Sequence, residues 1–428
     1  MYTVCMSSII TFQKSREKNI CIPLPFKRFH LCAILCYREV TASTLLERKD
    51  IAMASLDGAF RSLFETNMGI RDNERVLVFS DTIRPDETIS ESDRDRRMRL
   101  NATARQVAAF AAQTYGSAAF VEFPATPASG AEPPRELWQA TFGEETVAEL
   151  ERSELLAKLL AKQATPDEVA AGREIVLARK EFVADIIIAL SNNSTSHTRY
   201  RALACDAGSR VASLPHFDPD MFHSSMTVDW QALAARTSRL AAAVNRAEWV
   251  RVICPNGTDM MICKKGRQAD GDDGLLTAAG SFGNLPAGEA YLAPLEGKSH
   301  GVMVIEWGST YKLDEPLRLF VENGIVARIE GTDPLRAKLE AKFVENANCR
   351  NIAELGIGTN EKANRPDNVL EAEKILGTIH IALGDNSGFG GQVSAPFHED
   401  YVFYRPTLTL VMADGGEQVV IEDGRMLV

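Results

Sequence analysis

The sequence predicts an α/β N-terminal domain with a Rossmann-like, mostly parallel sheet, followed by an α+β, mainly antiparallel domain that binds metal. Three observations carry this expectation. Short apolar runs alternate with helical stretches from Met53 to about Asn245, the pattern of a parallel sheet covered on both faces. Beyond that point, hairpins with Gly-containing turns follow one another. A chain of 428 residues is long enough for two cores.

Residues 1–52 stand apart. They are basic (Lys14, Arg16, Lys18, Lys27, Arg28, Arg38) and hold a short apolar run, FHLCAILCY. They are expected to be a poorly ordered tail or an upstream-start artefact, because Met53 opens MASLDGAFRSLFETNMG, a natural-looking start and an amphipathic helix. In the domain 53–246, RVLVFSD (75–81) reads as a strand, residues 92–116 as a helix stopped by Gly116, and AAFVEFPA (118–125) as the next strand. Residues 144–182 read as two helices broken near Thr165-Pro166, and ADIIIALS (184–191) as a buried strand. The polar loop NNSTSHTR follows at a strand's C-terminal end, where ligands of such sheets collect. His197 and Arg199 could reach a substrate there, or the loop simply caps the next helix. RYRALACDAG is that helix and RVASLP a further strand. Neither a G-x-G-x-x-G after the first strand nor a G-x-x-x-x-G-K-[ST] occurs, which argues against a nucleotide site.

Residues 227–250 read as a long connecting helix into the domain 247–428. There RVICPNGTDMMICKKG is a hairpin turning at Asn256-Gly257, residues 333–347 are a helix, and further hairpins run to the C-terminus. GRQADGDDGLLTAAG (266–280) reads as a loop with solvated aspartates. The net charge of -11 argues against a nucleic-acid surface, and no apolar run has the length of a membrane span. Eight cysteines without zinc-finger or redox spacing fit a reducing cytoplasm.

The chemistry concentrates between Asn351 and Asp400. This stretch holds His380 and His398, with Glu354, Glu373 and Asp400 near them, the mixed donor set of a divalent metal. His398 and Asp400 are two apart in a strand-like segment and so face the same side. Glu354 lies among apolar residues, a costly place for a carboxylate without a cation. The GDNSGFGG loop (384–391) has no lysine or following helix to make it a phosphate cradle and reads as a wall of the metal site.

GNLPAGEAYLAP (283–294), NIAELGIGTN (351–360), EKILGTIHIALGDN (373–386) and HED (398–400) resemble the thermophilic metalloaminopeptidase family, closely in the C-terminal part and only in general pattern before it. The resemblance implies two divalent metal ions (zinc, cobalt or magnesium) held by Glu289, Glu354, His380, His398 and Asp400. It implies a homodimeric aminopeptidase that releases N-terminal residues from peptides with a metal-activated water. Glu354 or Glu373 would be the catalytic carboxylate. One departure is that GDNSGFGGQVSAPF lacks the family's catalytic tyrosine. Two alternatives follow. One is a non-peptidase or inactive relative. The other is the mononuclear non-haem iron dioxygenase that opens dihydroxypyridine rings, which shares this fold but has a histidine at the Glu354 position. The glutamate here, with His380 retained, favours the hydrolase.

Overall fold

A computed structural model describes residues 56–308 and 311–428; the extension 1–52 lies outside them. The N-terminal half is built on a five-stranded sheet in the order Ala118–Pro124, Val76–Thr82, Ile186–Ala189, Arg210–Ser213, Phe282–Asn284. Every neighbouring pair in it is parallel. The apolar runs alternate between two cores, as a strand's period of two requires. Val76, Val78, Ile186 and Ile188 pack with Leu100, Ala104 and Val107 of the helix Glu91–Tyr115. Leu77, Phe79 and Ile187 pack with Trp138, Val147 and Val176 on the other side.

That long helix follows its sequence signals. Ser90 accepts a hydrogen bond from the Asp93 amide at 3.1 Å, and Gly116 ends the helix at φ 86°. The break at Thr165-Pro166 is a capping box with Glu168. Residues 144–182 nevertheless hold three α-helices rather than two: Glu144–Arg152, Leu156–Leu160 and Pro166–Leu177. The connecting helix is shorter than expected, Trp230–Asn245, because Trp249–Ile253 already belongs to a strand.

The C-terminal half is two antiparallel sheets sharing one core. The larger has eight strands and the smaller five. Val250, Val252, Ile262, Met303 and Leu319 of the larger sheet join Leu292, Leu355, Ile357, Ile381, Leu383 and Phe403 of the smaller in a single cluster. This gives the mainly antiparallel α+β half that the hairpin pattern predicts. The smaller sheet runs in the order His398–Phe403, Ile379–Gly384, Ile352–Gly358, Glu289–Leu292, Asp270–Asp272.

Two short strands carry no apolar run for a sequence pattern to reveal. Phe282–Asn284 extends the parallel sheet, and Asp270–Asp272 forms an edge of the smaller antiparallel one. Side chains then fix that sheet to the first half. Asn360 Nδ2 donates to the carbonyls of Ser225 (3.1 Å) and Ala287 (2.9 Å), and the Thr237 and Thr359 hydroxyls meet at 2.7 Å. Among the described residues no helix is long and apolar enough to cross a membrane.

Candidate metal centre

The five-stranded sheet has two unlike faces. One is wholly apolar and belongs to the core: Ala290, Leu292, Leu355, Ile357, Ile379, Ile381, Tyr401 and Phe403. The alternate positions form the other face. Cross-strand register places Asp272 beside Glu289, Tyr291 beside Gly356, Gly356 beside His380, and Asp400 beside Ala382. Strand alternation thus gathers Glu289, Glu354, His380, His398 and Asp400 on one surface, although the first and last lie 111 positions apart in the chain.

Their polar atoms converge. His380 Nε2 lies 3.2 Å from Glu289 Oε2, 3.5 Å from Glu354 Oε1 and 4.0 Å from Asp400 Oδ1. His398 Nε2 lies 3.4 Å from Glu354 Oε2 and 3.7 Å from Asp400 Oδ2. Glu354 and Asp400 therefore each stand within 4.0 Å of both imidazoles. His380, Glu289 and Glu354 are buried, whereas His398 is exposed, so the centre opens to solvent on the His398 side. Glu289 is in the sheet interior rather than at a solvated strand edge.

The residues fit a divalent metal. Glu289 Oε2 and Asp400 Oδ1 are buried and make no hydrogen bond among the described residues, despite their closeness to His380. Buried carboxylate oxygens are rarely left so. His398 Nδ1–H donates to the Asp385 carbonyl at 2.7 Å, which fixes the ring and aims the Nε2 lone pair inward. Burial opposes charge on His380, but Glu289, Glu354 and Asp400 outweigh it and push the imidazole up to about 10. The same balance, led by Asp400, holds His398 well above its usual value. The cluster thus calls for positive charge at the point where the donors meet.

One centre is what the geometry supports, and the expectation of two metals is corrected here. Glu289–Glu354–His380, Glu354–His398–Asp400 and Glu373–His380–Asp400 are overlapping triads that share members. On the far side of Glu289, positive charge comes from the protein itself. The ammonium of Lys374, buried, lies 2.5 Å from Glu289 Oε1, 3.0 Å from Glu373 Oε1 and 3.8 Å from Asp272 Oδ2. A protein-supplied cation at that position removes the electrostatic need for a second ion.

Lys374 and Asp272 were not among the residues singled out from sequence. The aspartates of residues 266–280 were expected to be solvated, yet Asp272 lies in the sheet with its side chain 16% exposed. Burial raises its carboxyl to about 7, against the pull of Lys374. Burial likewise takes Glu373 to about 8, opposed by Lys374. No local pattern marked either lysine or aspartate; only the pairing of 270–272 with 289–292 and the turn at 371–374 bring them in.

The loop after Ile186–Ala189 divides its roles. Thr198 and Glu132 cap the next helix: the Thr198 hydroxyl accepts from the Arg201 amide, and Glu132 accepts from the amides of Arg199 and Tyr200. His197 lies within electrostatic reach of His398 and Asp385. Burial lowers its pKa, Arg201 and His398 lower it further, and Asp385 opposes them. Tyr401 points into the core, away from the donors.

Gly356 makes the arrangement possible. A Cβ there would stand 2.0 Å from both Nε2 and Cε1 of His380, so the imidazole lies across a strand that must lack a side chain. Gly356→Ala is expected to displace this buried ring and remove bound metal. Overpacking of this kind costs about 1–3 kcal/mol of stability. Metal analysis with thermal unfolding checks this, and full metal occupancy in the variant would contradict it.

Fold and site together define a histidine–carboxylate cluster, of a kind that could hold a metal ion, on one face of an antiparallel sheet. Residues 145–428 match the family described as NicX: 2,5-dihydroxypyridine 5,6-dioxygenase. The match spans well over half of the chain, and the chain belongs to this family. Among solved structures it is similar to 2,5-dihydroxypyridine dioxygenase from Pseudomonas putida KT2440, at 17% identity and a TM-score of 0.61, over 87% of this chain and 97% of that one. It is also similar to wild-type AmpT from Thermus thermophilus, at 13% identity and a TM-score of 0.55, over 88% of this chain and 100% of that one. At such identities both likenesses show the fold. No curated protein matches the chain. The assignment to the metalloaminopeptidases is therefore corrected, and with it the hydrolase and peptidase expectation. The chain is similar in fold to a member of each group, so the motifs quoted above do not single out one reaction. The glutamate at 354 does not outweigh the family match.

Proposed function

We propose that this chain is a mononuclear, non-haem iron dioxygenase that opens a dihydroxylated pyridine-type ring. The observation that carries the proposal is the family match over residues 145–428. The donor geometry supports it. Two imidazoles with Glu354 and Asp400 within 4.0 Å of each supply the nitrogen–oxygen set that suits iron(II) in ring-cleaving and related oxygenases. His380, His398 and Asp400 would hold the ion, with Glu354 between the imidazoles and Glu289 behind His380.

Iron(II), when bound, supplies the redox chemistry that couples dioxygen to an electron-rich ring. The chain's own residues prepare the place. The Asp385 carbonyl holds His398 in the tautomer that can donate a lone pair. Burial of His380 and Glu354 excludes water from the inner side, while His398 leaves the outer side open to substrate. Lys374 pairs with Glu289 and Glu373 without occupying the imidazole side. The same reading includes two domains, 53–246 and 247–428, the second holding the whole donor set. It also includes a homodimer and a cytoplasmic setting, the latter supported by the free thiols of Cys205, Cys254, Cys263 and Cys349.

The test is oxygen uptake by the iron(II)-reconstituted full chain supplied with 2,5-dihydroxypyridine. Uptake should match loss of the ring's absorbance mole for mole, and dipeptides and amino-acid p-nitroanilides should stay intact. Release of amino acids without oxygen uptake would overturn the proposal.

A further inference from the structure

The loop Asp385–Gly391 carries one aromatic side chain, and its position sets it beside the metal centre. The Phe389 ring meets His398 edge to face, with centroids 5.9 Å apart at 84°. It also meets Tyr291 edge to face, at 6.1 Å and 70°. Tyr291 is two residues along the strand from Glu289 and pairs across it with Gly356, so it belongs to the donor face of the sheet. Phe389 therefore bridges the two flanks of the centre, touching a ligand histidine on one side and the donor-face tyrosine on the other. It remains partly exposed, as does Tyr291.

The loop is built to hold this ring still. Before it, the Asp385 carboxylate accepts from the amides of Ser387 (3.2 Å) and Ala395 (2.9 Å). The Asn386 side chain accepts from the Val393 amide at 2.9 Å and donates to Glu296 at 3.1 Å. After it, Glu296 accepts from the Gln392 amide at 2.8 Å. Hydrogen bonds at both ends anchor the segment, and the glycines at 388, 390 and 391 leave Phe389 as its large side chain. A core role would bury such a ring. Here it stands on the solvent-open, His398 side of the centre.

We propose that Phe389, with Tyr291 at its side, is the aromatic wall that seats the planar ring of the substrate against the metal centre. Faces and edges of aromatic rings attract through their quadrupoles, so this pair selects flat π-systems over aliphatic ligands of equal size. Phe389 is a positioning residue rather than a metal ligand. The inference rests on the ring-cleaving reading for its substrate, but its test does not depend on turnover.

The experiment uses iron(II)-loaded full chain under anaerobic conditions, titrated with 2-hydroxypyridine as the probe. Wild type, Phe389→Ala, Phe389→Leu and Phe389→Tyr are compared, each with its metal content measured. KM and kcat for 2,5-dihydroxypyridine follow in air. Phe389→Ala and Phe389→Leu should bind the probe about 10-fold more weakly and raise KM by a similar factor, with full metal and little change in kcat. Phe389→Tyr should restore binding. Unchanged affinity in Phe389→Leu would overturn the proposal, because bulk would then suffice without a ring. Loss of metal in step with loss of binding would also overturn it, since the ring would then only support His398. A wild type that fails to bind the probe overturns it as well. If wild type binds the probe in a Phe389-dependent way but consumes no oxygen, the ring-cleaving reading fails and the wall stands.

Discussion

His380→Ala and His398→Ala are each expected to yield folded protein without stoichiometric metal and without measurable oxygenase activity. Each removes an imidazole whose Nε2 lies within 4.0 Å of both Glu354 and Asp400. Loss of a direct ligand should exceed the about 10–100-fold effect of losing an outer hydrogen bond to one. Asp400→Ala should behave alike, because alternation puts it on the His398 side of the strand. Glu399→Ala is the contrast. Glu399 pairs with the core residue Leu383 and lines a cavity of about 370 Å³ with Tyr311, Lys338, Lys342 and Phe397 on the opposite face. It should keep its metal. Metal analysis of the four purified variants checks this. Equal loss in Glu399→Ala and Asp400→Ala would refute the strand register that builds the centre.

Lys374→Met should be the most destabilising single change near the site. The side chain is 2% exposed and is the cation shared by Glu289, Glu373 and Asp272. Methionine keeps the volume and removes the charge, leaving three neighbouring acidic side chains without their shared cation. Breaking a buried pair from one side costs about 3–5 kcal/mol. For a chain of this size that is a fall in Tm on the order of 5–10 °C. The pH dependence follows from the signs. Asp272 and Glu373 sit at about 7 and about 8 in the folded protein, raised by burial, and Lys374 pulls both down. An acid raised by folding costs stability as pH climbs from its unfolded value through its folded one. Without Lys374 that cost grows, so the metal-free variant should lose more stability between pH 5 and pH 8 than wild type does. Thermal unfolding across that range measures it. A variant with wild-type Tm at pH 8 would show that Lys374 is not the neutralising cation.

The fold was legible because its signals are local. Alternating apolar runs fixed the parallel half, and Asn256-Gly257 and similar turns marked the hairpins. The donors were legible for a related reason. Glu354 amid apolar residues, and His398-x-Asp400 sharing one face of a strand, each mark a clustered polar function in a few residues. What stayed hidden depends on distant pairing. Asp272 looks like one more loop acid until its segment is added to the edge of a sheet. Lys374 looks like a surface lysine until the turn at 371–374 folds it onto Glu289. The number of metal ions turned on that lysine and was misjudged without it. The reaction was misjudged for a different reason: histidine and carboxylate donors suit a metal-activated water and an iron oxygenase alike. Ligand types constrain the metal more than they constrain what it does.

The most direct test of the central claim is ring cleavage under isotopically heavy dioxygen, with the product analysed by mass spectrometry. The account predicts that the ring-opened product of 2,5-dihydroxypyridine carries both heavy oxygen atoms, made by protein holding one iron per chain. Product formed with no label from dioxygen, and with label taken up from heavy water instead, would contradict it.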